Sequence, residues 1–259
     1  MSPTLAWQMI TAEILKLRRN RGVMAFALVL SVGVLVILFG VTAIQHASNP
    51  HRYTPAGGVD GFKHAVTALA LFFGMLAAIL IGSEAGTADL SSGVFRDLVA
   101  TGRSRLALFA VRAPAAIIVT LAFSAAGFAL SLIASFVFAG STPTPTLTLI
   151  LESAGWIVLA NALLVGFAVG VGSLTGSRAM TLTAVIGWQV VATSLLLNIG
   201  SLGSARDALL TAALAQLSPF PGDVVGGVTM TTAVAVGVLC GWAVVPSVVG
   251  AWRTKTRDA

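Results

Sequence analysis

Long apolar stretches alternate with short charged segments along the whole of this 259-residue chain. Each stretch continues for about 18 or more residues without a charged side chain, close to the length a helix needs to cross the ~30 Å hydrocarbon core of a bilayer. The stretches occupy residues 23–44, 65–83, 113–140, 153–177, 179–200 and 224–252. The pattern predicts an all-α, polytopic membrane protein whose single domain crosses the membrane six times.

The N-terminal segment, residues 4–21, has a helical pattern of a different kind. Trp7, Ile10, Ile14 and Leu17 recur at three- and four-residue spacing, with polar side chains between them. This spacing is typical of an amphipathic helix that lies at the membrane surface. The helix either anchors the N-terminus at the lipid headgroups or acts as an elbow that transmits motion from a cytoplasmic partner.

Two further amphipathic segments lie between predicted spans. Residues 87–101 repeat Leu90, Val94 and Leu98 at four-residue steps, which predicts a short helix between the second and third spans. This helix is either a solvated loop helix or a lever that a soluble partner grips. Residues 206–217 predict an outer helix, partly re-entrant or interfacial, that ends before Pro219 and precedes the last span.

Composition and charge give the membrane orientation. The chain is 57% hydrophobic and only 9% charged, with a mean hydropathy of +0.96, whereas soluble domains carry about a quarter charged residues. Lys and Arg in short loops favour the cytoplasmic side. With the N-terminus inside, the cytoplasmic segments hold Lys16, Arg18, Arg19, Arg21, Arg96, Arg103, Arg105, Arg112, Arg178, Arg253, Lys255 and Arg257, against Arg52, Lys63 and Arg206 outside. We therefore expect both termini in the cytoplasm and contact with anionic lipids, and no nucleic-acid partner.

The predicted spans contain no charged residue, although proton- or sodium-coupled carriers need ionisable groups at membrane depth. Their polar side chains are amides and hydroxyls. The candidate substrate pathway consists of Asn161, Gln189 and Asn198 together with Phe72 and Phe73. The amides have an alternative role, because Asn and Gln in membrane helices often form hydrogen bonds to neighbouring helices.

Several kinds of site have no support in the sequence. No nucleotide-binding loop is present, and no constellation of a hydrolase lies within the spans. His46, His51 and His64 lie around the first outer loop without the spacing of metal ligands, so we expect no metal site. The single cysteine, Cys240, excludes an internal disulfide. We therefore expect that the chain is not itself an enzyme.

The segment between the second and third predicted spans, residues 84–112, carries a recognisable series of residues. It contains Glu84, then Gly93-Val94-Phe95-Arg96-Asp97-Leu98, then Thr101-Gly102-Arg103-Ser104-Arg105, and finally Arg112. In this order the series resembles that of permease subunits of type-2 ABC exporters, small six-span proteins that pair with a separate ATPase. Val94 replaces the usual Thr, and Arg112 the commoner Lys, which preserves the amphipathic face and the charge. The resemblance extends over the whole predicted layout.

The resemblance implies a role for each of these residues. Residues 93–100, beginning at Gly93, would form a coupling helix seated in a cleft of the ATPase. Phe95 and Leu98 would be its apolar anchors, and Arg96 its polar partner. Glu84 would hold the loop against neighbouring basic residues. The remaining residues expected to couple the chain to the ATPase are Asp97, Arg103 and Arg105.

The resemblance also implies an assembly. Six spans form half of a transport pathway in this family, so two permeases, identical or different, would work with two ATP-binding-cassette ATPases. ATP and Mg would bind to the ATPases, and no cofactor to this chain. The expected function is export of a hydrophobic or amphiphilic substrate, such as a drug, peptide, lipid or natural product, by alternating access across a bacterial cell membrane. The alternatives are a non-transporting scaffold or sensor subunit and an ion-coupled secondary transporter.

Overall fold

A computed structural model describes residues 2–100, 102–220 and 230–256. These residues form helices and no strands, and six of the helical segments are long and apolar enough to span a membrane. The predicted all-α, six-span fold is thereby confirmed. We name these segments the first to sixth spans; they are Arg21–Ser48, Gly58–Ser91, Arg105–Val137, Leu147–Thr175, Arg178–Asn198 and Thr232–Thr256.

The ends of the spans differ from the apolar stretches because helices continue into polar sequence. The second span begins before and ends after residues 65–83, so Asp60, Glu84 and Asp89 all lie on its helix. The third span begins at Arg105 and therefore includes Arg112. Residues 224–229 of the predicted sixth span lie outside the described part of the chain. Polar residues at helix ends therefore belong to the spans.

The N-terminal helix, Pro3–Arg19, is the elbow helix of this structure. The Ser2 hydroxyl accepts a hydrogen bond from the Leu5 amide, and Pro3 occupies the first turn, where its missing N–H costs nothing. The elbow helix ends at Asn20, whose side chain in turn caps the first span by accepting from the Val23 amide. The elbow helix packs mainly against the third span. It is therefore joined to the bundle rather than only to the start of the first span.

The segment predicted as one helix at 87–101 is divided in the structure. Residues 87–91 are the last turn of the second span, and a separate helix, Val94–Ala100, follows. We call Val94–Ala100 the loop helix. The division occurs at Gly93, whose φ of +77° lies in the left-handed region that favours glycine. The loop helix is therefore a separate element that can take its own direction beneath the span.

The segment between the fifth and sixth spans packs into the bundle. The predicted helix at 206–217 is replaced by a 3₁₀ segment, Gly200–Ala208, followed by a short helix, Leu210–Gln216. Extended backbone at Leu209 separates the two. Trp156 donates its indole N–H to the Leu214 carbonyl at 2.8 Å, and Trp242 donates to the Ala208 carbonyl at 2.9 Å. Indoles of the fourth and sixth spans therefore hold this segment from two sides.

The second and fourth spans form the centre of the bundle. In their most apolar 18-residue windows, 78% and 61% of the residues are buried, against 22% in the sixth span. Small residues allow the close approach, since a Cβ added to Gly86 would lie 2.8 Å from the Val169 carbonyl oxygen. Around this pair, the sixth span approaches the fourth at Gly170, where an added Cβ would lie 2.6 Å from the Pro246 oxygen.

Candidate functional site

One end of the bundle gathers the elbow helix, the loop helix and several basic residues. Lys16 of the elbow helix contacts Asp89 of the second span, and Arg178 at the start of the fifth span contacts Glu84. The Arg105 guanidinium donates to the Lys255 carbonyl at 3.2 Å, which joins the third span to the end of the sixth. We call this end of the molecule the basic end. The structure places the N-terminal helix and the end of the sixth span at the same end of the bundle as the loop helix.

The Asp89 carboxylate is the centre of the contacts at the basic end. Lys16 Nζ donates to Asp89 Oδ1 at 2.7 Å, and Arg112 Nη2 donates to Asp89 Oδ2 at 3.2 Å. Each carboxylate oxygen therefore has its own cation, and the two cations come from different helices. Charge-assisted hydrogen bonds of this kind are stronger than neutral ones. Asp89 thereby joins the elbow helix, the second span and the third span.

Arg112 is the most buried charged residue among those the structure describes, with a relative exposure of 0%. Besides Asp89, its guanidinium lies 3.5 Å from the Gly86 carbonyl oxygen and over the Phe95 ring, 5.6 Å from the ring centroid. Its Nε has no hydrogen-bond partner within the described residues. A buried guanidinium is costly without an opposite charge. Arg112 therefore depends on Asp89 and is covered by the loop helix.

Glu13 completes what we call the charge network, which consists of Glu13, Lys16, Asp89 and Arg112. Lys16 Nζ donates to Glu13 Oε1 at 2.7 Å. Burial raises the pKa of the Glu13 carboxyl above its ordinary value, and the neighbouring Lys16 ammonium opposes that rise. When Glu13 is ionised the network holds two positive and two negative charges, so the buried groups balance one another.

Glu84 forms a second junction, one turn and a half before Asp89 on the same helix. Asn20, between the elbow helix and the first span, donates to Glu84 Oε1 at 2.8 Å. Arg178 Nη1 of the fifth span lies 3.1 Å from Glu84 Oε2. The basic partner expected for Glu84 is therefore a residue of the fifth span rather than of the loop itself.

The loop helix has two different faces. Phe95 is only 4% exposed and lies against Arg112, whereas Arg96 and Asp97 are exposed. Leu98 is half-buried, and Val94 exposes 42% of its surface. The resemblance implied that Phe95 is an apolar anchor for a partner, but in this structure its ring packs inward on Arg112 of the third span. The exposed surface consists instead of Gly93, Val94, Arg96 and Asp97, with Arg103 exposed just beyond it.

A cavity of about 310 Å³ lies between the second and fifth spans. It brings together three of the five residues predicted for a substrate pathway, Phe72, Gln189 and Asn198. Thr193, Ser194 and Thr211 add hydroxyls to walls that are otherwise apolar. Gln189 Oε1 and Thr193 Oγ1 are buried and have no hydrogen-bond partner in the part of the chain that the structure describes. The residues that line the cavity thus include buried polar atoms that the described part of the protein does not satisfy.

Two irregular turns face this cavity. The second span has a π-helical turn at Ala68–Phe72, and the fifth has one at Gly187–Ala192. Phe72 ends the first of these with φ −125° and ψ −92°, outside the helical region. Such turns interrupt the regular hydrogen bonding of a helix and often occur at functional sites. Phe72 and Gln189 therefore lie in the two π-helical turns, where the cavity walls are not regular α-helix.

The other two predicted pathway residues lie elsewhere. Asn161 is fully buried and donates from Nδ2 to the Ser124 hydroxyl of the third span at 3.1 Å, so it joins two helices as the alternative interpretation allowed. Phe73 does not line the cavity and exposes 37% of its surface on the second span. Adjacent residues on a helix point in directions about 100° apart, so Phe72 and Phe73 cannot both face the same cavity.

The described residues contain no group of three His, Cys, Asp or Glu side chains able to hold a metal ion. Of the three histidines, His46 Nδ1 lies 2.7 Å from the Tyr53 carbonyl oxygen, a contact in which the ring nitrogen is the donor. This contact lies in the loop between the first and second spans.

Sequence reasoning did not identify the charge network, although it noted Lys16 and Arg112 as single charges. One signal was present: Glu13 and Lys16 are three residues apart, the spacing at which a helix pairs opposite charges. The contacts of Asp89 with Lys16 and Arg112 span 73 and 23 residues of sequence, and no local pattern encodes them.

A comparison with protein families gives one match. The family described as ABC-2 family transporter protein matches residues 9–187, which is 179 of the 259 residues and includes most of the elbow helix, the loop helix and the first four spans. No curated protein and no solved structure matches the chain significantly. Members of this family are membrane components that work with an ATP-binding-cassette subunit and are generally not themselves catalytic. The chain belongs to the ABC-2 transporter family and is a multi-pass permease component of an ABC transporter.

Proposed function

We propose that this chain is the permease subunit of an ATP-driven exporter that moves hydrophobic or amphiphilic compounds outward across a bacterial cell membrane. Two permeases and two ATPases make the working unit, and both termini of the chain lie in the cytoplasm. The observation that carries the proposal is the arrangement of the loop helix. Its polar face is exposed, and its apolar residue Phe95 is buried against the guanidinium of Arg112. A helix held in this way can receive a force from a soluble partner and pass it to the bundle.

The distribution of charge supports an external source of energy. Every charged side chain on the six described spans lies within eight residues of a helix end. Ion-coupled carriers bind their coupling ion at ionisable groups near the middle of the membrane. The described spans offer no such group at their centres, so the driving force is expected from the ATPase.

The connections of the loop helix indicate how an ATPase acts on the transport pathway. The loop helix follows directly on the second span, which lines the cavity with Leu71, Phe72 and Met75. Glu84 links the same span to the start of the fifth span, which forms the facing wall. Displacement of the loop helix on ATP binding would therefore move both walls of the cavity, and alternating access follows from that movement.

The walls of the cavity indicate the class of substrate. Most of its lining is apolar, and the amides of Gln189 and Asn198 with the hydroxyl of Thr193 supply a few hydrogen-bonding groups. Such a site suits an amphiphile that brings a large apolar surface and one or two polar groups. A permease pair would place two of these cavities on one transport pathway.

The test is affinity purification of the tagged chain from gently solubilised membranes of its own host, followed by mass spectrometry. We expect an ATPase with a nucleotide-binding loop to co-purify, and Arg96→Glu to reduce its recovery severalfold. The matched control is Arg253→Glu, which makes the same change of charge at an exposed residue of the basic end. Equal recovery of the ATPase with both variants would show that the loop helix does not contact it. The absence of any ATPase would favour the scaffold or ion-coupled alternatives.

A further inference from the structure

The elbow helix has a direct ionic connection to the helix that carries the loop helix. Lys16 Nζ lies within 2.7 Å of carboxylate oxygens of both Glu13, on its own helix, and Asp89, on the second span. The elbow helix is amphipathic and exposes Trp7 and Leu15, as expected for a helix at the membrane surface. Surface anchoring alone needs no contact with Asp89.

Two further contacts lead from Asp89 to the loop helix. Asp89 holds Arg112, Arg112 lies under the ring of Phe95, and Phe95 is the buried residue of the loop helix. Phe95 cannot leave its place without exposing a guanidinium that is otherwise completely buried. Arg112 cannot move without Asp89, since Asp89 is the carboxylate with which its guanidinium forms an ion pair in the described part of the chain.

We propose that Lys16 is a positioning residue through which the elbow helix and the loop helix move as one unit. Lys16 holds the Asp89 carboxylate in position, and the carboxylate holds the Arg112 guanidinium. The guanidinium in turn holds the Phe95 ring in its buried position. The elbow helix then carries the movement that the ATPase imposes on the loop helix to the third span and to the membrane surface. This inference rests on the proposed function, because it assumes an ATPase that acts on the loop helix.

The charges explain why Lys16, rather than a neutral donor, is required. Asp89 alone cannot balance both Lys16 and Arg112, and Glu13 supplies the second negative charge. Without the Lys16 ammonium, Glu13 becomes a buried carboxyl beside Asp89 with no cation between them, and the elbow helix loses its attraction for the second span. The pair of Asp89 and Arg112 remains, so folding of the bundle is expected to survive the change.

The experiment measures the separation of the two helices in the complex of the full chain with its co-purified ATPase. Spin labels are attached at Ala12→Cys on the elbow helix and Ala100→Cys at the end of the loop helix, in a Cys240→Ala background. Both label positions are exposed. Labelled chain is diluted with unlabelled chain, so that each complex contains one labelled copy. Distances are recorded without nucleotide and after trapping with Mg, ATP and vanadate.

In the wild-type background we expect the same distance in both states, because the helices move together. With Lys16→Met we expect a shift of about 2 Å or more between the states, together with a fall of about fivefold or more in the ATPase stimulation that the permease provides. Lys16→Arg should restore both readings. Arg18→Met, an exposed basic residue two positions away, is the control and should leave both unchanged.

Two outcomes overturn the inference. One is an equal distance in both states with Lys16→Met and undiminished stimulation of the ATPase; the other is a wild-type distance that already shifts as much as in the variant. If Lys16→Met does not accumulate, Lys16→Gln, which keeps a hydrogen-bond donor and removes the charge, provides the same test. Absence of an ATPase from the wild-type preparation would instead contradict the proposed function.

Discussion

The basic end and the cavity treat their polar groups in opposite ways. At the basic end, both carboxylate oxygens of Asp89 accept hydrogen bonds from cationic side chains of the protein itself. In the cavity, Gln189 and Thr193 keep buried polar atoms that no described residue satisfies. Charged side chains therefore join helices to one another at the basic end, whereas the cavity is lined by neutral polar groups, two of which have no partner in the described part of the chain. This difference is what we expect if the basic end receives force from a partner and the cavity receives a ligand.

The largest effect should follow from removing the centre of the charge network. Asp89→Asn removes the carboxylate that forms an ion pair with the buried Arg112 guanidinium, and breaking a buried pair costs about 3–5 kcal/mol. We expect a large loss of folded protein in membranes and a lower unfolding temperature in detergent. Asp97→Asn, on the exposed face of the loop helix, is the control and should change stability by less than about 0.5 kcal/mol. Equal stability of the two variants would show that Asp89 does not hold Arg112.

A smaller effect is expected at the junction between the second and fifth spans. Glu84→Gln keeps an oxygen for Asn20 but removes the charge that faces Arg178. Because Arg178 is 40% exposed, solvent screens the pair, and we expect a loss of about 1 kcal/mol or less in stability. ATPase stimulation should fall more than stability does, since the fifth span is then no longer tied to the second. The unfolding temperature and the stimulation, measured on one preparation, separate the two effects; a fall in stability without a change in stimulation would make Glu84 a structural residue only.

The smallest effect on stability should occur in the cavity. Gln189→Leu removes an amide whose Oε1 has no partner among the described residues, so the fold should lose almost nothing. A ligand that hydrogen-bonds this amide should bind about twofold to tenfold more weakly, the range for one such bond. The measurement is the concentration of hydrophobic dyes that gives half-maximal stimulation of the ATPase in the reconstituted complex. Asn161→Leu is the contrasting variant and should lower stability while leaving that concentration unchanged, because Asn161 joins Ser124 away from the cavity. If Asn161→Leu changed that concentration and Gln189→Leu lowered stability, the roles of the two amides would be exchanged.

Much of the fold could be predicted from sequence because burial in a bilayer requires long apolar stretches. The six spans follow from that requirement alone, and the amphipathic pattern of Trp7, Ile10, Ile14 and Leu17 is sufficient for the elbow helix. The break at Gly93 does not follow from the periodicity, which predicted one helix over residues 87–101, although the resemblance implied a coupling helix that begins at Gly93. Glycine permits both helix and left-handed turn, and only the direction of the loop helix beneath the span decides between them.

The residues of the candidate site could be predicted from the sequence better than the contacts between them. Gln189, Asn198 and Phe72 were identified as polar or aromatic residues within spans, and they do share a cavity. Asn161 has the same chemistry as Asn198, yet it packs between helices, because the choice depends on which way each helix faces. The inward placement of Phe95 depends on Arg112, which is distant in sequence, and the amphipathic pattern of the segment alone cannot reveal it.

The most direct test of the coupling role is photo-crosslinking from single positions of the loop helix in the purified complex. A photoreactive amino acid is introduced in place of Arg96, of Asp97 or of Phe95, and the products are identified by mass spectrometry. The account predicts strong crosslinks to the ATPase from positions 96 and 97, which are exposed, and crosslinks within the permease from position 95, which is buried on Arg112. If positions 96 and 97 give no product with the ATPase, the loop helix is not the coupling site.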